Sequence, residues 1–313
     1  MTMSRSAPPL APQRVLFCGA GRWGKKLIRA FLDHGAVPAG FVVRTNSTMQ
    51  FLAAEYPNVP IGSNAEQLIG ETPADVLVVA TPTPTHSRLA LMGLHQGRDV
   101  FVEKPLCTDS VDARALADAA RATNAALFTG FVYLHHPAFA ALRSALAIEN
   151  IAHLDFHWNR PALGGRPEWE LLPHELAIAS VLLGELPPEV SIHVGDGLCR
   201  CRWTSTSGVP IDIRLDGRTG IVKRKELVVR TTTGQVWKWT DHELVHHDQM
   251  SSERALQRAT FGAAEPLRRE VDWFFAHRRE SDAMRHEIDR SVAITTLISE
   301  ALAAAAPVRS RLH

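Results

Sequence analysis

The sequence predicts an α/β half joined to an α+β half: an N-terminal Rossmann doubly wound parallel sheet, then a C-terminal domain built on a largely antiparallel, open-faced sheet. Three observations carry this. Short apolar runs alternate with helix-patterned stretches as far as Gly130, the signature of βαβ units on a parallel sheet. A G-x-G-x-x-G turn, GAGRWG, closes the first of those runs. Beyond Gly130 the chain changes to long β-rich segments punctuated by Gly and Asp, as antiparallel hairpins are.

In order, the first half reads RVLFCGAG, helical WGKKLIRAFLDHG, FVVRT, helical STMQFLAAEYP, DVLVVATP, helical HSRLALMGLHQG, DVFVEKP, helical SVDARALADAARATN and ALFTGFV. This sets residues 14–130 as the dinucleotide-binding domain, with 1–13 a disordered tail. Residues 131–313 are expected to form a second, α+β domain. They comprise a helix HPAFAALRSAL, a strand IAHLDFHWNR, a Gly-rich loop ALGGRP, a helix opening in WELLPHE, and the strands VSIHVGDGLCRCRWTST, PIDIRLDG, KELVVRTTT and QVWKWTD. A helical region from about Pro266 to Ala306 closes the chain before Pro307, which cannot continue a helical ladder.

The length of 313 residues fits two ordinary domains. Lys plus Arg is 34 against 33 for Asp plus Glu, so no net charge draws the protein to nucleic acid or an anionic membrane, and a small-molecule partner is expected. Cys18, Cys107, Cys199 and Cys201 lack the spacing of a zinc site or disulfide framework, and no metal is expected. MTMSRSAPPLAPQ has no signal-peptide core and no run approaches ~20 apolar residues. A cytoplasmic location is expected.

In GAGRWG, Gly19 permits the tight turn, Gly21 lets the backbone approach a pyrophosphate and Gly24 lets helix and strand pack closely; Ala20, Arg22 and Trp23 complete the turn. The helix start offers free N–H donors. About twenty residues on, where an acid usually meets the ribose of NAD, stands VVRTNST. Arg44 and Thr45, with Asn46 and Ser47, suit a 2′-phosphate, which favours NADP(H) over NAD(H). Arg44 stacking on an adenine is the alternative.

ATPTPTH places Thr81, Pro82 and His86, and VFVEKPL places Glu103, Lys104 and Pro105, at the C-terminal edge of the sheet, where such folds bind ligands. Together with GAGRWG these motifs resemble the Gfo/Idh/MocA family of NAD(P)-dependent oxidoreductases. The resemblance runs on through GFVYLHHPAF, through WELLPHELAIASVLLG, similar to a family segment written W-D-L-x-P-H-D, and through IRLDGRTGIVKRKELVVRTTTGQV. It leans toward the branch that includes UDP-N-acetylglucosamine 3-dehydrogenase-like enzymes.

The resemblance implies hydride transfer between a nicotinamide and a hydroxyl or keto carbon of a sugar, nucleotide sugar or cyclitol, with Lys104 and His174 beside that carbon. Glu170 stands where the family has Asp. Removing hydride from an alcohol requires its proton to leave too. Lys104 is the expected proton-transfer group, with His174 orienting and assisting, although a histidine is the more natural proton carrier near neutral pH. Tyr133, His135, Arg160 and Trp169 are candidates for the substrate side, with Arg166 near substrate anions. The alternatives are an imine reductase on the same fold and a catalytically silent dinucleotide-binding sensor or scaffold.

Glu175 reads as a first-turn carboxylate favoured by the helix dipole, with Glu170 just before the helix. His246 and His247 read as surface. Trp237 and Trp239 share one strand face, either packed core or a subunit interface. The family usually pairs subunits through this sheet, so a homodimer or homotetramer is expected.

Overall fold

The structure is a computed structural model and describes residues 11–163, 166–241, 243–248, 257–260 and 265–305. Nearly all of the expected tail, and the glycines of ALGG, lie outside the described residues.

The first sheet contains β1 (Arg14–Cys18), β2 (Val37–Val42), β3 (Ile61–Gly62), β4 (Val76–Val79), β5 (Asp99–Glu103) and β6 (Leu127–Gly130). Their spatial order is β3-β2-β1-β4-β5-β6, and every pair is parallel. Helices α1 (Arg22–Asp33), α2 (Asn46–Glu55), α3 (Ala65–Glu71), α4 (His86–His95) and α5 (Ser110–Thr123) connect them. Because both sheet faces are covered, β4 and β5 are buried at every position, which is why they read as continuous runs rather than alternating ones. The strand order reverses between β1 and β4, and a crevice opens there at the strands' carboxyl ends. The sequence reading passed over β3 and α3. Both are too short for periodicity to register, and the local signal is the Asn64 cap, whose side chain accepts from the Gln67 N–H at 3.0 Å.

The second half begins with α6 (Pro137–Ala145), β7 (Ile151–Asn159), α7 (Pro167–Glu170) and α8 (Leu172–Leu183). It continues with β8 (Ser191–Gly195), β9 (Leu198–Thr204), β10 (Pro210–Asp216), β11 (Arg224–Thr231), β12 (Gln235–Thr240), β13 (Glu243–Asp248) and β14 (Gln257–Thr260). The sheet order is β14-β13-β12-β11-β7-β10-β9-β8, antiparallel except where β7 meets β10. Alternation sends Leu154, Phe156 and Trp158 of β7 inward against the helices. It sends charge to the other face, where Arg214 pairs with Asp155 at 3.0 Å and Arg202 with Asp212 at 2.6 Å.

WELLPHE forms two helical pieces. Leu171, at φ −118° and ψ −48°, separates α7 from α8, so Glu170 ends one helix instead of preceding another. Trp237 and Trp239 are both buried in the core of this chain, and Trp239 packs on Phe139 of α6 at 5.8 Å. They are therefore core rather than an interface, because α6 covers their face. His246 also departs from the surface reading, since its ring stacks on Trp237 at 3.9 Å.

The final helices, α9 (Glu265–His277) and α10 (Ser281–Ala305), return to the first sheet. Leu267, Val271, Phe274 and Met284 join the cluster of Phe17, Phe31, Phe101 and Phe128, and Arg278 pairs with the buried Asp99 of β5. Phe274 is fully buried, packing edge-on to Phe101 at 5.6 Å, a burial that stabilises by about 2 kcal/mol. α9 packs on the nucleotide sheet, whereas α10 bridges the two halves: Met284 and Ile288 join clusters of the first, and Ile294, Leu297 and Ile298 join the core of the second.

Candidate active site

The nucleotide side of the cleft is made mainly of backbone. Gly19 has φ +97°, and a Cβ there would lie 2.4 Å from the Ala80 carbonyl oxygen. A Cβ on Gly24 would lie 2.4 Å from the Gly19 oxygen. Only glycine permits this contact between the turn, α1 and the end of β4. Gly21 is the N-cap of α1; no side chain caps it, and nothing lies within 4 Å of its would-be Cβ. An uncapped helix start facing open space fits a pyrophosphate. Ala20 is buried, whereas Arg22 and Trp23 are exposed. Arg44 follows β2 and is exposed together with Thr45, Asn46 and Ser47.

Around β4 and β5 the side chains brace this turn. His86 is buried, with Nδ1 2.9 Å from the Pro105 carbonyl oxygen and Nε2 2.8 Å from that of Thr81. It straps the Thr81–Pro82 segment to the segment after β5. Glu103, at the end of β5, accepts a hydrogen bond from the Trp23 indole, and burial pushes its carboxyl up to about 7.

Lys104 crosses to the second half. Its Nζ donates to the Glu170 backbone oxygen at 2.8 Å and lies 3.4 Å from the Glu170 carboxylate. The carbonyl is available because the end of a helix leaves its last C=O groups without intrahelical partners. One turn further on, His174 is 5% exposed and its Nδ1 has no hydrogen-bond partner. The Tyr133 and Trp158 rings lie 4.9 Å and 5.8 Å from it. Burial, then the cations Lys104, Lys225 and Arg160, hold the imidazole well below its usual range.

These groups open on one cavity of about 870 Å³. Arg22, Trp23, Thr81, Pro82, His86, Glu103 and Lys104 line it from the nucleotide side, and Tyr133, Arg160, Arg166, Trp169, Glu170 and His174 from the other. Arg166 is paired with Glu168. His135 turns the opposite way from Tyr133, because a 3₁₀ turn over Val132–His135 separates their directions. It packs beside Trp273 of α9 at 5.7 Å, and burial lowers its pKa to about 4. His136 instead caps α6, accepting from the Ala138 N–H at 3.0 Å. Glu175 lies in the first turn of α8, where it is 2% exposed and burial raises it to about 7.

Sequence reasoning missed Trp158 and Lys225. The signal for Lys225 was present, since alternation in β11 sets it on the same face as Leu227 and Val229. Among the described residues no cluster of three or more His, Cys, Asp or Glu could hold a metal ion, and no helix is long and apolar enough to cross a membrane.

A glycine turn and Lys104 at one edge of a parallel sheet, facing the helix-borne Glu170 and His174 across a cleft, make a Rossmann-type dinucleotide site. Residues 13–131 match the Gfo/Idh/MocA model, described as an oxidoreductase family with an NAD-binding Rossmann fold. The chain is 27% identical over 194 residues to the uncharacterised oxidoreductase YdgJ of Escherichia coli K12, covering 57% of this chain and 56% of that protein. It spans about half the length, or less, of the first curated relatives it matches.

In fold it is similar to the UDP-N-acetylglucosamine 3-dehydrogenase GnnA from Acidithiobacillus ferrooxidans, with TM-score 0.74, 19% identity, and 93% of this chain and 99% of that one covered. It is also similar to an inositol dehydrogenase homologue from Azotobacter vinelandii solved with NADH and myo-inositol. There the TM-score is 0.77 at 14% identity, with 94% of this chain and 96% of that one covered.

Proposed function

We propose that this protein is an NAD(P)-dependent oxidoreductase acting on a hydroxyl or keto carbon of a sugar, nucleotide sugar or cyclitol, and that it prefers NADP(H). The observation that carries the reading is the contact of Lys104, from the nucleotide sheet, with Glu170 across the cleft. The glycine turn would hold the pyrophosphate and Arg44 a 2′-phosphate. When bound, the nicotinamide supplies or accepts the hydride.

An ammonium has three donors, and Glu170 engages Lys104 through its carbonyl and carboxylate. The remaining N–H points a cation at the reacting oxygen, where it stabilises developing alkoxide and exchanges the proton. His174, kept neutral by burial and neighbouring cations, accepts a hydrogen bond from a substrate hydroxyl. Arg160 adds a cation on the substrate side. The sugar and cyclitol class is supported by the printed activities of GnnA and the inositol dehydrogenase homologue. Subunit pairing is assigned to the helix-free face of the second sheet.

The test is fluorescence titration with NADPH and NADH, then turnover on a panel of polyols, free sugars and UDP-sugars. NADPH is expected to bind several-fold tighter, and at least one panel member to be oxidised or reduced. If cofactor binds tightly while wild type and Lys104→Ala are equally inactive across the panel, the enzyme reading fails. Equal or tighter binding of NADH removes the cofactor preference.

A further inference from the structure

Lys225 is a buried cation that the hydride chemistry does not use. It is 8% exposed, and its Nζ has no hydrogen-bond partner. Three rings surround it instead, with Nζ 2.8 Å from the Tyr133 centroid, 4.8 Å from that of Trp158 and 4.7 Å from that of Trp239. The charged groups facing it are Glu175 on α8, Asp241 just after β12 and the like-charged Lys223. Burying an unpaired ammonium is costly, and ring faces together with a nearby buried carboxylate offset that cost.

Tyr133 and Trp158 line the cleft in front of Lys225. The same two rings pack on His174, Tyr133 edge-on at 86° and Trp158 tilted at 35°. Lys225 and His174 thus share two aromatic walls, one group in the core and the other in the cleft.

We propose that Lys225 is a positioning residue for His174: its ammonium holds Tyr133 and Trp158 in the orientation that packs the imidazole, and its charge keeps that ring an acceptor. The proposal rests on the role given to His174 above. The charges around His174 come from the elements packed on it: Lys104 just after β5, Arg160 after β7, Lys225 of β11, Glu170 of α7 and Glu175 beside it on α8. Lys104, Lys225 and Arg160 all depress its protonation beyond the effect of burial. Glu175, raised by burial to about 7, faces Lys225 and moderates its charge.

The experiment is imidazole NMR on the full chain carrying labelled histidine, with the His174 signal identified by its loss in His174→Asn. Lys225→Met is expected to strengthen proton binding at His174 about three- to tenfold, a shift of half to one pKa unit, and Lys225→Arg to return it to within about twofold of wild type. The double variant Lys225→Met/Glu175→Gln removes both buried charges, gives the same upward shift, and serves if the single variant does not fold.

A His174 midpoint in the folded variant equal to or below that of wild type overturns the proposal, including the case where both rings stay neutral until unfolding. So does Lys225→Arg titrating like Lys225→Met. Since the titration needs no turnover, an inactive protein with a shifted midpoint would count against the enzyme reading and not against this one.

Discussion

The two walls of the cleft are made of different materials. On the nucleotide wall the turn works through N–H groups and glycine contacts at the end of one strand, its members neighbours in sequence, and the side chain that leaves this wall for the other is Lys104. On the substrate wall they are side chains from α7, α8, β7 and β11, gathered around His174 with burial and charge setting their protonation. Backbone recognition depends on shape, whereas side-chain recognition depends on electrostatics. The walls should therefore fail in different ways.

The largest expected effect falls on the chemistry alone. Lys104→Met should lower kcat by about 10²–10⁴-fold while the NADPH dissociation constant changes only a few-fold, as measured by steady-state kinetics beside a binding titration. Loss of both together would erase the distinction between the walls.

Gly19→Ala should do the opposite. At φ +97°, with a Cβ 2.4 Å from the Ala80 oxygen, it should cost about 3 kcal/mol of stability and weaken NADPH binding more than tenfold, read by urea unfolding and titration. Unchanged binding would show that the turn does not meet the cofactor.

The effect that leaves both binding and turnover least changed concerns pH and sharpens the electrostatic side. Burial raises Glu175 from 4.5 to about 7, so its proton is held more tightly in the folded state than in the unfolded one. The stability it contributes is fully present below pH 4.5 and is lost as pH rises through about 7, a fall of up to about 3 kcal/mol. In Glu175→Gln that part of the fall should disappear, leaving what Glu103 and Glu270, raised in the same direction, contribute. Unfolding free energies from pH 4 to 8 check this, and identical slopes in variant and wild type would contradict it.

How much of each wall could be read in the sequence follows from the same difference. Gly19, Gly21 and Gly24 announce themselves because the turn they build is local. Lys104 and His174 were legible through motifs, but the contact between Lys104 and Glu170 spans 66 residues, and the break at Leu171 that frees the Glu170 carbonyl leaves no composition signal.

In KELVVRTTT no motif marks Lys225. Period-two alternation with Leu227 and Val229 places it inside, but its cage comes from Tyr133, Trp158 and Trp239 on three other segments. Tyr133 and His135 illustrate the limit of strand-like spacing: two residues apart, they face the cleft and α9 because the chain between them is a 3₁₀ turn. The return of α9 to the first sheet depends on a buried phenylalanine cluster that only the assembled sheet brings together.

The central claim is that both walls serve one reacting carbon, and a crystal structure with NADPH bound tests it most directly. The account predicts a nicotinamide lying between Glu103 and Tyr133, with Lys104 Nζ and the His174 ring both within hydrogen-bond reach, about 3 Å, of one point beside C4. A C4 turned away from Lys104, or a Lys104 and His174 too far apart to meet at a single oxygen, would contradict it.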